Sequence, residues 1–287
     1  MILAAVPSFD GGRAFQHLER QVAFGPRIPG SSGHAKTAEW LVRSLEGLAP
    51  VVEKRACYGR NALTGEEMEG RNIIASFRPE ADDRIFFGAH WDSRTFADLD
   101  PDSARAGEPV PGADDAASGV AVLLTVAEVL HRNPPPLGVD LIFFDLEDQG
   151  VSGDIHSWCL GSRSLAAGAS LTGFSPRFGV VVDMVGGRNL RLTQDRFSRE
   201  CCPDLLDEIF RIGREIDPAA FSSPQVVEVY DDHVPFIDAG IPTVLLIGFG
   251  FPEWHTTRDL PDRCSPESLE IVGTLLLQII YGDHKIP

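Results

Sequence analysis

The chain reads as an α/β protein: a three-layer sandwich in which helices flank a mixed, mostly parallel central sheet. Three observations predict this. Helical and strand-like segments alternate along the chain. Four runs, residues 85–89, 139–144, 178–182 and 241–247, are more continuously apolar than a half-exposed strand would be. Runs of that length rich in Val, Ile and Phe suit central strands covered on both faces. Long amphipathic segments stand between and beyond them, each able to cover one face.

The elements follow in order. Residues 9–23 read as a short helix broken by Pro26 and Pro29. Residues 34–48 form a better one, with Ala35, Ala38, Leu41, Val42 and Leu45 on one face. After Pro50 come strand-like residues 51–58 and 70–77, joined by a turn containing Gly and Glu. Between the first two apolar runs lies a helix over 118–131, with Val120, Leu123, Leu124, Ala127 and Leu130 at helical spacing; it ends at Pro134-Pro135-Pro136. A helix over 204–216 follows, and residues 265–281 close the chain as an amphipathic helix. Ser265 suits its N-cap and Pro266 its first turn. There is no internal repeat or low-complexity tract. Residues 1–287 are expected to form one catalytic domain, with 1–30 as an N-terminal helix and lead-in segment.

Composition narrows the function. The 287 residues hold 25 Lys and Arg against 42 Asp and Glu, a formal charge of −17. A nucleic-acid binder needs a basic face to displace phosphate counterions, and docking on anionic membranes needs the same sign. Neither partner is expected. No stretch reaches the roughly 18 apolar residues of a membrane span. Met1 to Val6 is too short, and lacks the basic flank, for a signal peptide. The five Cys are odd in number and fit no zinc-ribbon or CxxC spacing, so buried thiols are expected rather than a disulfide framework.

The polar residues concentrate where the apolar runs end. The first run ends in His90-Trp91-Asp92, the second in Asp145-Leu146-Glu147-Asp148 and the third in Asp183; Phe251-Pro252-Glu253-Trp254-His255 follows the fourth. Gly112-Ala113-Asp114-Asp115 precedes the central helix. Open α/β sheets bind ligands outside the carboxyl ends of their strands. Asp, Glu and His without Cys suit a catalytic zinc, and a dication relieves the repulsion of clustered carboxylates. Neighbouring Glu147 and Asp148 point apart on extended backbone, so one can bind metal while the other moves protons. HExxH, GxSxG, P-loop and GxGxxG motifs are absent. His17, His34, His131 and His284 read as solvated, and Asp98 to Asp102 as turn acids. Asp231-Asp232-His233 fits either this site or a helix N-cap, and Asp115, beside Asp114, reads as a cap as well.

Several of these motifs carry a family resemblance. Gly88-Ala89-His90-Trp91-Asp92-Ser93, Pro111 to Gly119, Phe144-Asp145-Leu146-Glu147-Asp148 and His255-Thr256-Thr257 resemble the zinc aminopeptidase (M28) superfamily. Phe24-Gly25-Pro26-Arg27-Ile28-Pro29-Gly30, His90 to Arg94, Trp158 to Ser162, Asp231-Asp232-His233 and Phe251 to His255 resemble, within it, the glutaminyl-peptide cyclotransferases. The resemblance spans about residues 24–281. It implies one zinc per chain on Asp114, Asp148 and His255, with Glu147 as the proton shuttle. Asp183 and Asp231 would join the hydrogen-bond network, and Trp158, Phe251 and Trp254 would wall the pocket. The implied reaction turns an N-terminal glutamine of a peptide or protein into pyroglutamate and ammonia. Two departures stand out: Leu245 replaces a His of the animal enzymes, and Glu147-Asp148 replaces their usual Glu-Glu. The second expectation is a two-zinc aminopeptidase, with His90 and Asp183 on the second metal and Glu147 as general base. The third, an inert binding module, conflicts with the retained ligands. A monomer is expected. The resemblance leaves the compartment open, since relatives of this kind are commonly exported (periplasmic or secreted) and this chain shows no leader.

Overall fold

A computed structural model describes residues 5–222, 225–284 and 286; part of the Met1 to Val6 segment lies outside them. The helices are α1 (Gly11–Val22), α2 (Ser32–Glu46), α3 (Ala117–Arg132), α4 (Leu160–Ala167), α5 (Ala169–Thr172), α6 (Arg196–Cys201), α7 (Pro203–Ile216), α8 (His233–Asp238) and α9 (Pro266–Tyr281). The strands are β1 (Val51–Arg60), β2 (Glu67–Phe77), β3 (Arg84–His90), β4 (Gly138–Phe144), β5 (Gly179–Asp183) and β8 (Thr243–Ile247), with the two-residue β6 (Gln194–Asp195) and β7 (Val226–Val227) apart. The main sheet runs β1-β2-β4-β3-β5-β8. Strands β4, β3, β5 and β8 are mutually parallel; β2 joins β4 antiparallel, and β1 pairs antiparallel with β2 at the edge. Because the four parallel strands point one way, their carboxyl ends share one edge.

The sheet separates two apolar layers by strict alternation. On one face Ile85, Phe87, Val139, Leu141, Phe143, Val180, Val182, Val244 and Leu246 pack against α1, α2, α3, α7 and α9. On the other, Phe86, Ile142, Phe144, Val181, Leu245 and Ile247 meet Leu165, Ala166 and Phe236 of α4 and α8. Both faces being apolar is why the strands read as continuous runs. Helix α9 starts as expected: Ser265 Oγ accepts from Ser268 N–H at 3.2 Å, with Pro266 in the first turn. Among the described residues no helix is long and apolar enough to cross a membrane. All five Cys are free.

Three expectations need correction. The β1–β2 hairpin runs on to Arg60 and Glu67, because the edge continues in residues with a single apolar member, Met68, too few to show a strand pattern. His17 and His34 are buried rather than solvated: His17 meets Glu128 at 3.0 Å, and His34 meets Asp145 at 3.0 Å and stacks on Trp91. The N-cap reading of Asp231-Asp232-His233 fails as well. Asp232 stands at the cap of α8, but its side chain makes no capping bond and is instead bound by Ser162 Oγ.

Candidate metal centre and pocket

The edge formed by the strand ends gathers the polar residues. His90 closes β3 and Asp183 closes β5; Glu147 and Asp148 follow β4 at a corner where Leu146 has φ 58°. Met184 (φ 47°) and His255 (φ 55°) turn in the same left-handed region. Each costs on the order of 1–3 kcal/mol for a residue with a Cβ, and such residues collect where packing over-determines a site.

Two groups of buried side chains could each hold a metal ion: His90, Asp115 and Asp183, and Asp115, Asp148 and His255, with the ligand atoms of each group within 4.8 Å of one another. His255 Nε2 lies 3.2 Å from Asp148 Oδ1 and 3.6 Å from Asp115 Oδ2. His90 Nε2 lies 3.0 Å from Asp115 Oδ1 and 3.3 Å from Asp183 Oδ1. Asp148 Oδ2 is buried and, among the described residues, has no hydrogen-bond partner. A buried, unpartnered carboxylate oxygen beside an imidazole is what a cation would satisfy, and the N/O donor set suits zinc.

Asp115, not Asp114, occupies this position. The Asp114 carboxylate turns away and accepts from Gly186 N–H at 2.6 Å. Asp259 holds both residues by the backbone, accepting from Asp114 N–H at 2.7 Å and Asp115 N–H at 3.1 Å. Two adjacent Asp look alike in sequence, and nothing local decided between them.

A supporting layer fixes the ligands. Asp92 accepts from Glu147 N–H, Asp148 N–H and Gln149 Nε2 at 3.0–3.2 Å. Asp98, read in the sequence as a turn acid, sits 3.5 Å from His255 Nδ1 and binds Arg94 at 2.6 Å. A carboxylate behind a ligand imidazole fixes its ring and tautomer. Arg94 also reaches Asp148 Oδ1 at 3.3 Å and lies over the Trp158 ring. Asp92 and Arg94 belong to the motif the sequence placed at the end of β3, whereas Asp98 carried no signal because it reaches His255 through tertiary packing.

Burial dominates the electrostatics. It raises Glu147 well above the usual carboxylate range, with Asp148, Asp231 and Asp232 adding repulsion. It lifts Asp231 to about 7, with Asp183 as the next cause, and Asp183 to about 6. Burial opposes protonation of His255, yet the carboxylates of Asp148, Asp98 and Asp115 together outweigh it and bring the imidazole to about 9. Crowded, buried negative charge of this kind favours a bound dication.

The site opens into a cavity of about 340 Å³ lined by Asp115, Glu147, Asp148, Asp183, Asp231 and His255. Its aromatic walls are Trp158, Tyr230, Phe249 and Trp254. Trp254 tilts against the His255 ring at 4.2 Å and Trp158 lies parallel to it at 6.3 Å. Phe251, expected here, instead faces Gly187 in a neighbouring cleft, and Phe249, two residues earlier, takes its place. Leu245 is fully buried in the apolar layer. Asp231 Oδ1 accepts from Asp232 N–H instead.

A sequence profile of peptidase family M28 matches residues 72–280. The chain belongs to peptidase family M28. Among solved structures, the fold is similar to a glutaminyl cyclase of Bacteroides thetaiotaomicron, bound to N-acetylhistamine, at 33% identity and TM-score 0.92, covering 98% of this chain and all of that one. It is similar to a leucine aminopeptidase precursor from Bacteroides thetaiotaomicron at 34% identity and TM-score 0.91, covering 98% and 99%. A glutaminyl-peptide cyclotransferase of Drosophila melanogaster is 27% identical over 82% of this chain and 70% of its own length. Membership of M28 agrees with the strand-end metal groups and with the mixed sheet.

Proposed function

We propose that the protein is a zinc-dependent glutaminyl cyclase that converts the N-terminal glutamine of peptides and proteins to pyroglutamate and releases ammonia. The observation that carries this reading is the pocket: buried Glu147 stands beside a three-residue ligand group at the base of an aromatic-walled cavity of about 340 Å³. That space suits one side chain folding on itself. Likeness to several glutaminyl cyclases in sequence and structure supports the reading.

In this reading Asp115, Asp148 and His255 hold one zinc, which supplies a Lewis acid for the γ-carboxamide oxygen. The α-amine nitrogen attacks the carbonyl carbon of that carboxamide, Cδ. The ring C–N bond forms, the carboxamide C–N bond breaks, and ammonia leaves. Glu147 takes the proton from the amine and delivers it to the departing nitrogen. Its raised pKa suits both halves of that task. Asp183 and Asp231 hold a proton near the developing charge, and Trp158, Phe249 and Trp254 confine the side chain. Orientation supplies much of the rate because both reacting groups belong to one residue. The exposed large apolar residues are scattered, which supports a monomer.

The test is ammonia release from a Gln-initiated peptide that is not shortened, beside a Leu-initiated control. Shortening of either peptide without ammonia release would favour the second reading, an M28 aminopeptidase. That reading draws on the His90, Asp115 and Asp183 group, which could hold a second zinc. Two tightly held zinc ions per chain would count against the cyclase.

A further inference from the structure

Cys159 is fully buried, yet among the described residues it belongs to none of the apolar clusters. Its Sγ instead donates to Glu147 Oε1 at 3.2 Å. The segment is fixed against the base by backbone as well: Cys159 N–H donates to Glu147 O at 3.0 Å, and Leu160 N–H to Leu146 O at 3.0 Å. Cys159 takes φ 56° to make this fit, immediately before α4. An L-residue seldom adopts that conformation, and Gly is its usual occupant. A side chain is retained here, and it points at the carboxylate.

We propose that Cys159 is a positioning residue for Glu147, its thiol holding one carboxylate oxygen so that the other is presented to the reacting nitrogen. The inference rests on the cyclase reading of the site. Burial, and then the negative charge of Glu147, Asp232 and Asp231, pushes the thiol pKa far up, so the group stays a neutral donor. A neutral donor orients a general base without the added charge of a Lys or Arg, which would make it a weaker base. It also leaves Glu147 Oε2 free of that bond. The preceding residue, Trp158, lies parallel to the His255 ring, so one short segment orients both the base and a ligand imidazole.

The bland account is that Cys159 fills space as a small hydrophobe. Substitutions separate the two. Cys159→Ser keeps a donor and loses apolar character; Cys159→Ala and Cys159→Val keep apolar character and lose the donor. For ammonia release from a Gln-peptide, Ala and Val are expected to lower kcat by about tenfold or more, as for loss of a hydrogen bond to a charged group, with KM within about twofold. Ser is expected to recover most of kcat. In a Glu147→Gln background, Cys159→Ala should change the residual rate by less than about twofold, since coupled residues are non-additive. A readout without turnover is the infrared S–H stretch: one band should vanish in Cys159→Ala and shift in Glu147→Gln. Equal kcat in Ser and Ala, an undiminished Ala effect in the Glu147→Gln background, or a band that ignores Glu147→Gln would each overturn the proposal. If the unsubstituted protein releases ammonia and Ser matches Ala, this inference alone fails. If it releases none, the cyclase reading fails and takes the inference with it.

Discussion

At residue 147 the carboxyl group is buried, repelled by three neighbours and outside both groups that could hold a metal, which are the conditions that tune a general base. Glu147→Gln should therefore keep bound zinc and lower cyclisation by about 10²- to 10⁴-fold, the usual worth of a positioned acid–base group; a near-normal rate would remove Glu147 from proton transfer. The adjacent Asp pair offers a sharper contrast. Asp115→Asn should weaken zinc binding by more than the ~10–100-fold typical of outer-layer losses, whereas Asp114→Asn should stay within that range. Metal content after dialysis of both variants decides it. Asp231 gives a pH signature. Its carboxyl titrates near 7 when folded and near about 4 when unfolded, so between those values the folded state holds the extra proton. Stability should fall as pH rises from about 4 to about 7 through this group, and then level off. Asp231→Asn should accordingly gain in Tm over the parent as pH rises across that window, measured in chelator. Residue types and strand-end placement made Glu147, Asp148, Asp183 and His255 legible from sequence. The choice of Asp115 over Asp114 and of Phe249 over Phe251 was not, because each turns on which way a side chain leaves a loop. Asp98 and Cys159 were hidden for a different reason: they reach the site through tertiary packing.

Among the elements, α3 was read from sequence almost to its ends, since its apolar spacing is helical and prolines follow it. The same holds for the four parallel strands and for α9. The short α4, α5 and α6 escaped, each too brief to show a period, and α8 was signalled only by the acidic residues at its start. Helix α3 also supplies a test of how tightly the layers fit. A methyl group at Gly119 would stand 2.6 Å from Val182 O and 2.9 Å from Ala89 Cβ. Ala gains about 1 kcal/mol of helix propensity over Gly. Overpacking costs about 1–3 kcal/mol, more where backbone cannot yield. The clash should win, so Gly119→Ala is expected to lower the denaturant midpoint while changing no charge in the site. A raised midpoint would show that α3 can lift off β3 and β5.

For the whole molecule, the −17 charge acts at a distance. It should draw the cationic amino terminus of a peptide and repel acidic peptides, with an effect that salt erases. Raising ionic strength from about 0.01 to 0.1 M shortens the Debye length from about 30 to about 10 Å. Over that range kcat/KM for a Gln-peptide carrying Lys should drop by ~2- to 10-fold, and far less for a neutral one. A further property of the whole chain turns on Arg27, which lies outside the 72–280 stretch recognisable as M28. Its buried guanidinium donates to the carbonyls of Trp91, Pro111 and Gly112 at 2.9, 2.8 and 2.5 Å, and its backbone N–H to Ser93 Oγ. Gly112, at φ 69°, leaves room for it where a Cβ would collide. One cation thus rivets the loop after β3 to the loop that delivers Asp115. The smallest workable catalytic unit is therefore larger than its family signature: a protein trimmed to that signature would keep every proposed zinc ligand and lose the rivet that sets their spacing.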